Sequence, residues 1–291
     1  LVHSMKKFWD KNYAFAGGIK IIVALQFMVL AKLAALHLNL ADAGIFFLMH
    51  NTAMLVCSLL FSVHSASLLR YYSSVEDKII LYKTVVWQLC FVISLLCLAG
   101  MGVFYFFPEN TVYKVTLVYA VSSGSLLILT TKLRAASQFN QLFYFLVAQS
   151  IVLAILVTTA TLFLDLSPWL MIGSVAISTF ICLFYYLIRG KKTLWRIIQT
   201  KLDKDLAQSF LLYGMPFILV SVSNIVISTN GQFMLKLLGY DDEVGAYAAN
   251  YNIGEKAVFL WLSLLVMVNV PKIYQAYESS GSLVAWLIIK R

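Results

Sequence analysis

Eight apolar runs divide this chain, each long enough to cross a bilayer and each separated from the next by a short polar break. They cover 14–36, 44–69, 84–107, 112–131, 141–164, 168–188, 210–235 and 246–270, against a requirement of about 20 residues per spanning helix. Hydrophobic residues make up 61% of the 291 and charged residues only 12%, too little polar material to wrap a water-soluble core. The runs are continuous and lack period-two alternation, so they read as helices and not as strands of a barrel. The expected fold is all-α, a polytopic membrane protein with about eight transmembrane helices.

Basic residues close to a helix end resist translocation, so their positions orient the loops. Lys6, Lys7, Lys11 and Lys20 lie at the amino-terminal side, and every second loop repeats the bias: Arg70, Lys78 and Lys83; Lys132 and Arg134; Arg189 to Lys204; Lys272. Loops 37–43, 108–113, 165–167 and 237–245 hold no Lys or Arg apart from the adjoining Lys114 and Lys236. A cytoplasmic amino terminus is expected. The net charge of +9 and pI of 9.3 are thereby accounted for by topology and by contact with anionic membrane lipids, and no nucleic-acid partner is expected. Cys57, Cys90, Cys97 and Cys182 fall inside the runs without paired spacing and read as space-filling thiols.

A short internal echo adds the domain plan. Asp42-Ala43-Gly44-Ile45-Phe46 leads into the second run and Glu243-Val244-Gly245-Ala246-Tyr247 into the eighth, both reading acidic, small or β-branched, Gly, aliphatic, aromatic. An even number of helices separates the copies, so both enter the membrane in the same direction, as in transporters with two halves related about the membrane normal. Between the halves lies a polar connector with Leu194, Trp195, Ile198, Leu202 and Leu206 at spacings of three and four, the pattern of an interfacial helix. The expected organisation is a six-helix lobe over 1–188, an amphipathic cytoplasmic connector over 189–207, and an incomplete second lobe over 208–291. After Gly281 the apolar stretch has only about nine residues, far short of a span, so a chain cut within its ninth helix is expected.

Enzymatic constellations are missing from the sequence: there is no His-Glu-x-x-His, no phosphate-cradling Gly-rich loop, no Gly-x-Ser-x-Gly and no paired carboxylates in an exposed loop. Neither an enzyme nor a cofactor is expected. Several motifs instead resemble one family. Phe61-Ser62, Leu68-Leu69-Arg70-Tyr71-Tyr72, Tyr213-Gly214-Met215-Pro216, Phe233-Met234-Leu235, Val244-Gly245-Ala246-Tyr247 and Pro271-Lys272-Ile273-Tyr274 are similar to those of polysaccharide flippases of the multidrug, oligosaccharidyl-lipid and polysaccharide exporter superfamily. The resemblance implies transport of undecaprenyl-diphosphate-linked O-antigen or capsule units across the bacterial inner membrane by alternating access. It also implies that substrate as a partner, with other polysaccharide-assembly proteins alongside. Two departures stand out: Gly231-Gln232 occupies the place of an Asp-Arg pair in many relatives, and relatives have more helices. The alternatives are a small-molecule cation antiporter of the same superfamily, a membrane enzyme of polysaccharide assembly, and a non-functional fragment.

A sugar diphosphate crossing hydrocarbon needs a cationic, hydrogen-bonding cavity. The seventh run offers a polar face at Ser221, Asn224, Ser228 and Gly231-Gln232, and the eighth offers Asn252, Glu255 and Lys256 within one turn. Lys32, Asn224, Asn252, Glu255 and Lys256 are the candidate cavity residues, with Lys236 a further cation. Snorkelling is the competing reading for Lys32 and Lys236, and mutual neutralisation for Glu255 and Lys256. Arg70 and Arg134, at cytoplasmic helix ends, are candidate gate or substrate-admission residues, unless topology alone accounts for them. His50 and His64 are about 21 Å apart along one helix and cannot share a metal; none is expected. In a background without the native cysteines, Asn110→Cys and Ser167→Cys should react with an impermeant thiol reagent applied outside intact cells, and Lys192→Cys should not. Labelling at position 192 would reverse the orientation.

Overall fold

The computed structural model describes the backbone of residues 2–106 and 111–290, and their side chains except at 2–11, 103, 104, 106, 241, 249, 252, 253, 255–261 and 287–289. Its helices are α1 (Val2–His37), α2 (Leu40–Ser74), α3 (Lys78–Phe106), α4 (Thr111–Ala135), α5 (Phe139–Phe163), α6 (Pro168–Arg189), α7 (Lys191–Gln199), α8 (Lys204–Leu237) and α9 (Asp241–Ile289). No strand occurs among the described residues. Seven of the helices, α1 to α6 and α8, are long and apolar enough to cross a membrane. This is an all-α, multi-pass membrane architecture. The run 246–270 lies within α9, where many side chains fall outside the described residues, and Asn110 also lies outside them.

Short, well-capped junctions separate the long helices. Asn39 opens α2 by accepting from the Asp42 amide at 2.7 Å, and Asp203 opens α8 by accepting from the Leu206 amide at 2.9 Å, each satisfying an orphan donor of the first turn. Pro168 starts α6, where its missing N–H is no loss. At the end of α8, Gly239 adopts φ 83°; its amide donates to Lys236 at 3.1 Å and that of Tyr240 to Leu235 at 3.0 Å, the closure that a left-handed residue permits. Ser167 precedes Pro168 with its hydroxyl buried, so the neighbouring exposed Asp165 is the better cysteine-labelling position for that loop.

The connector helix α7 is nine residues long, and Leu206 belongs to the first turn of α8. Its apolar stripe is divided. Ile197 is buried and Leu194 half-buried against the helices above, whereas Trp195 and Ile198 remain exposed, the disposition of a helix lying flat between protein and lipid headgroups.

Helix α2 is the hub: it packs most extensively against α8, α4 and α9, and also meets α3, α6 and α1. Phe46, Phe47, Phe61 and Leu68 of α2 are all essentially inaccessible. By contrast Phe91, Leu98, Ile155, Phe184 and Leu219 stand exposed on the outer helix faces, where a bilayer takes the place of water. In hydrocarbon, burial from water no longer drives helices together, and close packing at small residues does much of that work. The α2–α8 seam shows it: a Cβ built on Gly214 would lie 2.5 Å from the Val63 carbonyl oxygen and 2.7 Å from Ser67 Oγ. At the start of α9, a Cβ on Gly245 would collide with the Leu40 carbonyl oxygen and lie 3.2 Å from the Gly44 amide nitrogen. The glycines of the two echo motifs therefore abut, and α2 and α9 run parallel from that point.

Because the Val63 carbonyl cannot rotate away, Gly214→Ala should destabilise the fold by about 1–3 kcal/mol through overpacking, read as a lowered unfolding temperature in detergent. Gly173→Ala is the control, since nothing lies within 4 Å of its Cβ position; it should be neutral or gain up to about 1 kcal/mol of helix propensity.

Candidate functional site

At the end of the molecule where α2 finishes and α8 begins, α2, α8 and α9 meet through side chains. Arg70, one turn before the end of α2, donates from Nη1 to Glu278 Oε1 of α9 in an ion pair. Its guanidinium carbon is 5.9, 5.8 and 5.4 Å from the ring centroids of Tyr71, Tyr274 and Tyr277. Tyr213 of α8 and Tyr274 share a hydroxyl–hydroxyl hydrogen bond of 2.8 Å. Tyr71 stacks on Phe210 at 5.9 Å and meets Tyr213 edge-on at 6.0 Å, and Ser67 Oγ donates to the Phe210 carbonyl at 2.5 Å. Close by, the Tyr13 hydroxyl of α1 donates to Asn269 Oδ1 of α9 at 2.7 Å, and Lys272 Nζ lies 4.8 Å from the Tyr13 ring.

The energetic scale matters. Arg70 and Glu278 keep 23% and 28% of their side-chain surface exposed, so their pairing contributes about 0.2–1 kcal/mol, and each ring contact about 0.5–1 kcal/mol. The sum is a few kcal/mol at most. It latches α9 to α2 and does not weld it.

The opposite end of the same interface is built differently. There α2 and α9 meet backbone to backbone at Gly44 and Gly245, and Asn51 of α2 donates from Nδ2 to Gln232 Oε1 of α8 at 2.5 Å, fully buried. Gln232 Nε2 has no hydrogen-bond partner among the described residues. A neutral amide pair at this buried position avoids the desolvation cost of a buried ion pair.

The candidate residues from the sequence are dispersed. Arg70 is at the latch. Arg134 lies in the last turn of α4, its Nε buried without a hydrogen-bond partner among the described residues. Lys32 is exposed on α1, on the side shared with the exposed Ile21, Leu25 and Leu36. Asn224 is exposed on α8, about a quarter-turn from the face packed on α2, and Lys236 is exposed in the last turn of the same helix. Neither Lys32 nor Asn224 is among the described lining of the cavity beside α4 or of the one between α1 and α5. Asn252, Glu255 and Lys256 lie on α9, but their side chains fall outside the described residues.

The histidines are accounted for locally. His64 is buried, with Nδ1 3.1 Å from the Leu60 carbonyl oxygen, and His50 Nδ1 is 3.0 Å from the Tyr119 hydroxyl. Among the described residues no group of His, Cys, Asp and Glu is arranged to hold a metal ion. Glu278 and Tyr277 were not foreseen, although Tyr71, Tyr213 and Tyr274 fall in the motifs that carry the family resemblance. Comparison of the chain with family models, curated proteins and solved structures gives no match.

A double-mutant cycle of Arg70→Ala and Glu278→Ala, read by thermal unfolding, should give a coupling of about 0.2–1 kcal/mol. Arg70→Ala alone should cost more than the coupling, because the three ring contacts go with it. A coupling above about 3 kcal/mol would mean a desolvated, permanent ion pair and no latch.

Proposed function

We propose that this chain works as an alternating-access exporter in the bacterial inner membrane, amino terminus in the cytoplasm, and that its cargo is a diphosphate-linked oligosaccharide on a prenyl lipid. The observation that carries the reading is the α2–α9 pair, pinned at one end by abutting glycines and latched at the other by Arg70, Glu278 and three tyrosines. A helix held in this way can swing at its latched end while its pinned end stays in register, which is the motion that lobe-on-lobe rocking requires. On this reading the latch, which lies beside basic loops, faces the cytoplasm.

The latch chemistry suits the cargo. A guanidinium is matched to phosphate oxygens by its planar donor fork. The surrounding tyrosines add flat apolar faces with hydroxyl rims, surfaces that suit sugar rings. In the state described, Glu278 occupies the guanidinium. A diphosphate entering from the cytoplasm competes with Glu278 for Arg70, so cargo binding and latch opening are one exchange of anions.

The test is equilibrium binding to the full chain in nanodiscs of neutral phospholipid, with undecaprenyl diphosphate as the probe and undecaprenol and tetraphenylphosphonium as controls. Undecaprenyl diphosphate should bind at least about tenfold more tightly than undecaprenol, the scale of one charge-assisted hydrogen bond. Arg70→Ala should erase that margin, and Glu278→Gln, by removing the competing anion, should widen it. Equal binding of diphosphate and alcohol would end the reading. Preferential binding of tetraphenylphosphonium would favour a cation antiporter.

A further inference from the structure

The first lobe holds a cleft that the proposed transport path does not use. Its volume is about 590 Å³, within the range of sites that enclose a small ligand. Ile128, Leu129 and Lys132 of α4 form its floor, α3 and α6 its walls through residues such as Leu89 and Leu187, and α7 its roof through Leu194 and Ile197. Tyr82, Val85, Val86 and Leu89 of α3 recur at spacings of one, three and four, so a single helix stripe lines that wall from end to end.

The chemistry changes along the cleft. Toward the middle of the membrane the lining is aliphatic and aromatic; at the α7 end stand two cations, Lys132 and Arg189. Lys132 Nζ lies 4.6 Å from the Tyr82 ring and 5.5 Å from the Tyr186 ring. No Asp or Glu is among the lining residues described, and Lys191, Lys192 and Arg196 of the roof helix stand exposed beside the mouth. The complement of this surface is an anion joined to an apolar chain.

We infer that the cleft binds one anionic phospholipid of the surrounding bilayer, its phosphate on Lys132 and Arg189 and an acyl chain between α3 and α6. A free phosphate does not fit the argument, because most of the lining is apolar. Transported cargo does not fit either, because the described lining comes from α2 to α7 and neither α8 nor α9 contributes a residue to it. The consequence falls on α7, which carries the chain from the sixth span to α8. Lys83 of α3 already donates to the Ile198 carbonyl at 3.0 Å, and a phospholipid beneath the helix fastens it to α4 and α6 as well.

The experiment uses the full chain in phosphatidylcholine vesicles doped with phosphatidylglycerol that bears a photoactivatable acyl chain. Crosslinks should map to the α3 and α6 walls, around Leu89 and Phe180, with an enrichment of about tenfold or more over the same chain on phosphatidylcholine, as two cations at a membrane surface give. Lys132→Gln combined with Arg189→Gln should abolish the enrichment, and Lys132→Arg with Arg189→Lys should preserve it, each checked for unchanged elution on gel filtration. Should the glutamine pair fail to fold, Thr193→Trp, which fills the roof, should displace the crosslinks instead. Equal labelling by the two headgroups, crosslinks scattered over the lipid-facing surface, competition by glycerol phosphate, or indifference to both kinds of variant would each overturn the assignment. None of these outcomes bears on undecaprenyl diphosphate binding at the latch, so the two readings fail separately.

Discussion

Two helices in hydrocarbon have no water to expel from between them, so they stay together only where their surfaces fit closely or where polar groups satisfy one another. Helix α2 meets that constraint on several sides at once. Gly124 of α4 lies over the Phe61 ring, Gly214 of α8 against the Val63 carbonyl, and Gly245 of α9 against Leu40. Each of these is a position where a methyl group would meet atoms already in place. Helices α8 and α9 are therefore joined to the preceding helices chiefly through α2, with lesser contacts from α1, α3 and α4, and whatever moves α8 or α9 must do so against α2.

Polar groups then grade the interface from one end to the other. Near the glycine contact the pair is neutral and sealed, Asn51 with Gln232. Close to the other end, one turn before Arg70, a serine reaches a backbone carbonyl, Ser67 to Phe210, and Gln88 of α3 reaches the Ala207 carbonyl at 3.0 Å. At the far end the contacts are charged and aromatic and partly exposed, Arg70 with Glu278 among the tyrosines. Charge appears where water and headgroups can share it, and neutral amides where they cannot, which is the order that desolvation costs impose.

Much of this was legible in the sequence, and what was not has a physical cause. Apolar run length marks spans because the bilayer sets a fixed thickness, and seven of the runs are long apolar helices in the structure. The acidic-x-Gly-x-aromatic echo was readable as a repeat. That its two glycines touch was not, since periodicity gives the face of a helix and never the neighbour that covers it. The same limit hid Glu278, 208 residues from Arg70 in sequence, and hid the cleft of the proposed lipid, whose lining comes from six separate helices. The connector was read as one amphipathic helix because Leu202 and Leu206 continue the spacing; Asp203, capping α8, starts a new helix before the pattern ends. Lys32 and Asn224 carried the right chemistry for a cavity, but burial and depth depend on what packs beside them.

On the proposed reading the arrangement also sets what a ligand must do to move α9 against α2. A ligand shifts a conformational equilibrium only by the difference in its affinity for the two states. In the structure the Arg70 guanidinium is engaged by Glu278 and by three rings; on the proposed reading an anion gains little there until the latch opens and frees the guanidinium. The closed contact is worth only a few kcal/mol on the scales given above, and one charge-assisted phosphate interaction contributes about 1.5–3 kcal/mol. The two are closely matched, so on the proposed reading a diphosphate is strong enough to hold the latch open and weak enough to leave when Glu278 returns. A buried Arg–carboxylate pair at the same position would be too costly to separate, and a bare arginine would hold the anion without a competitor to release it.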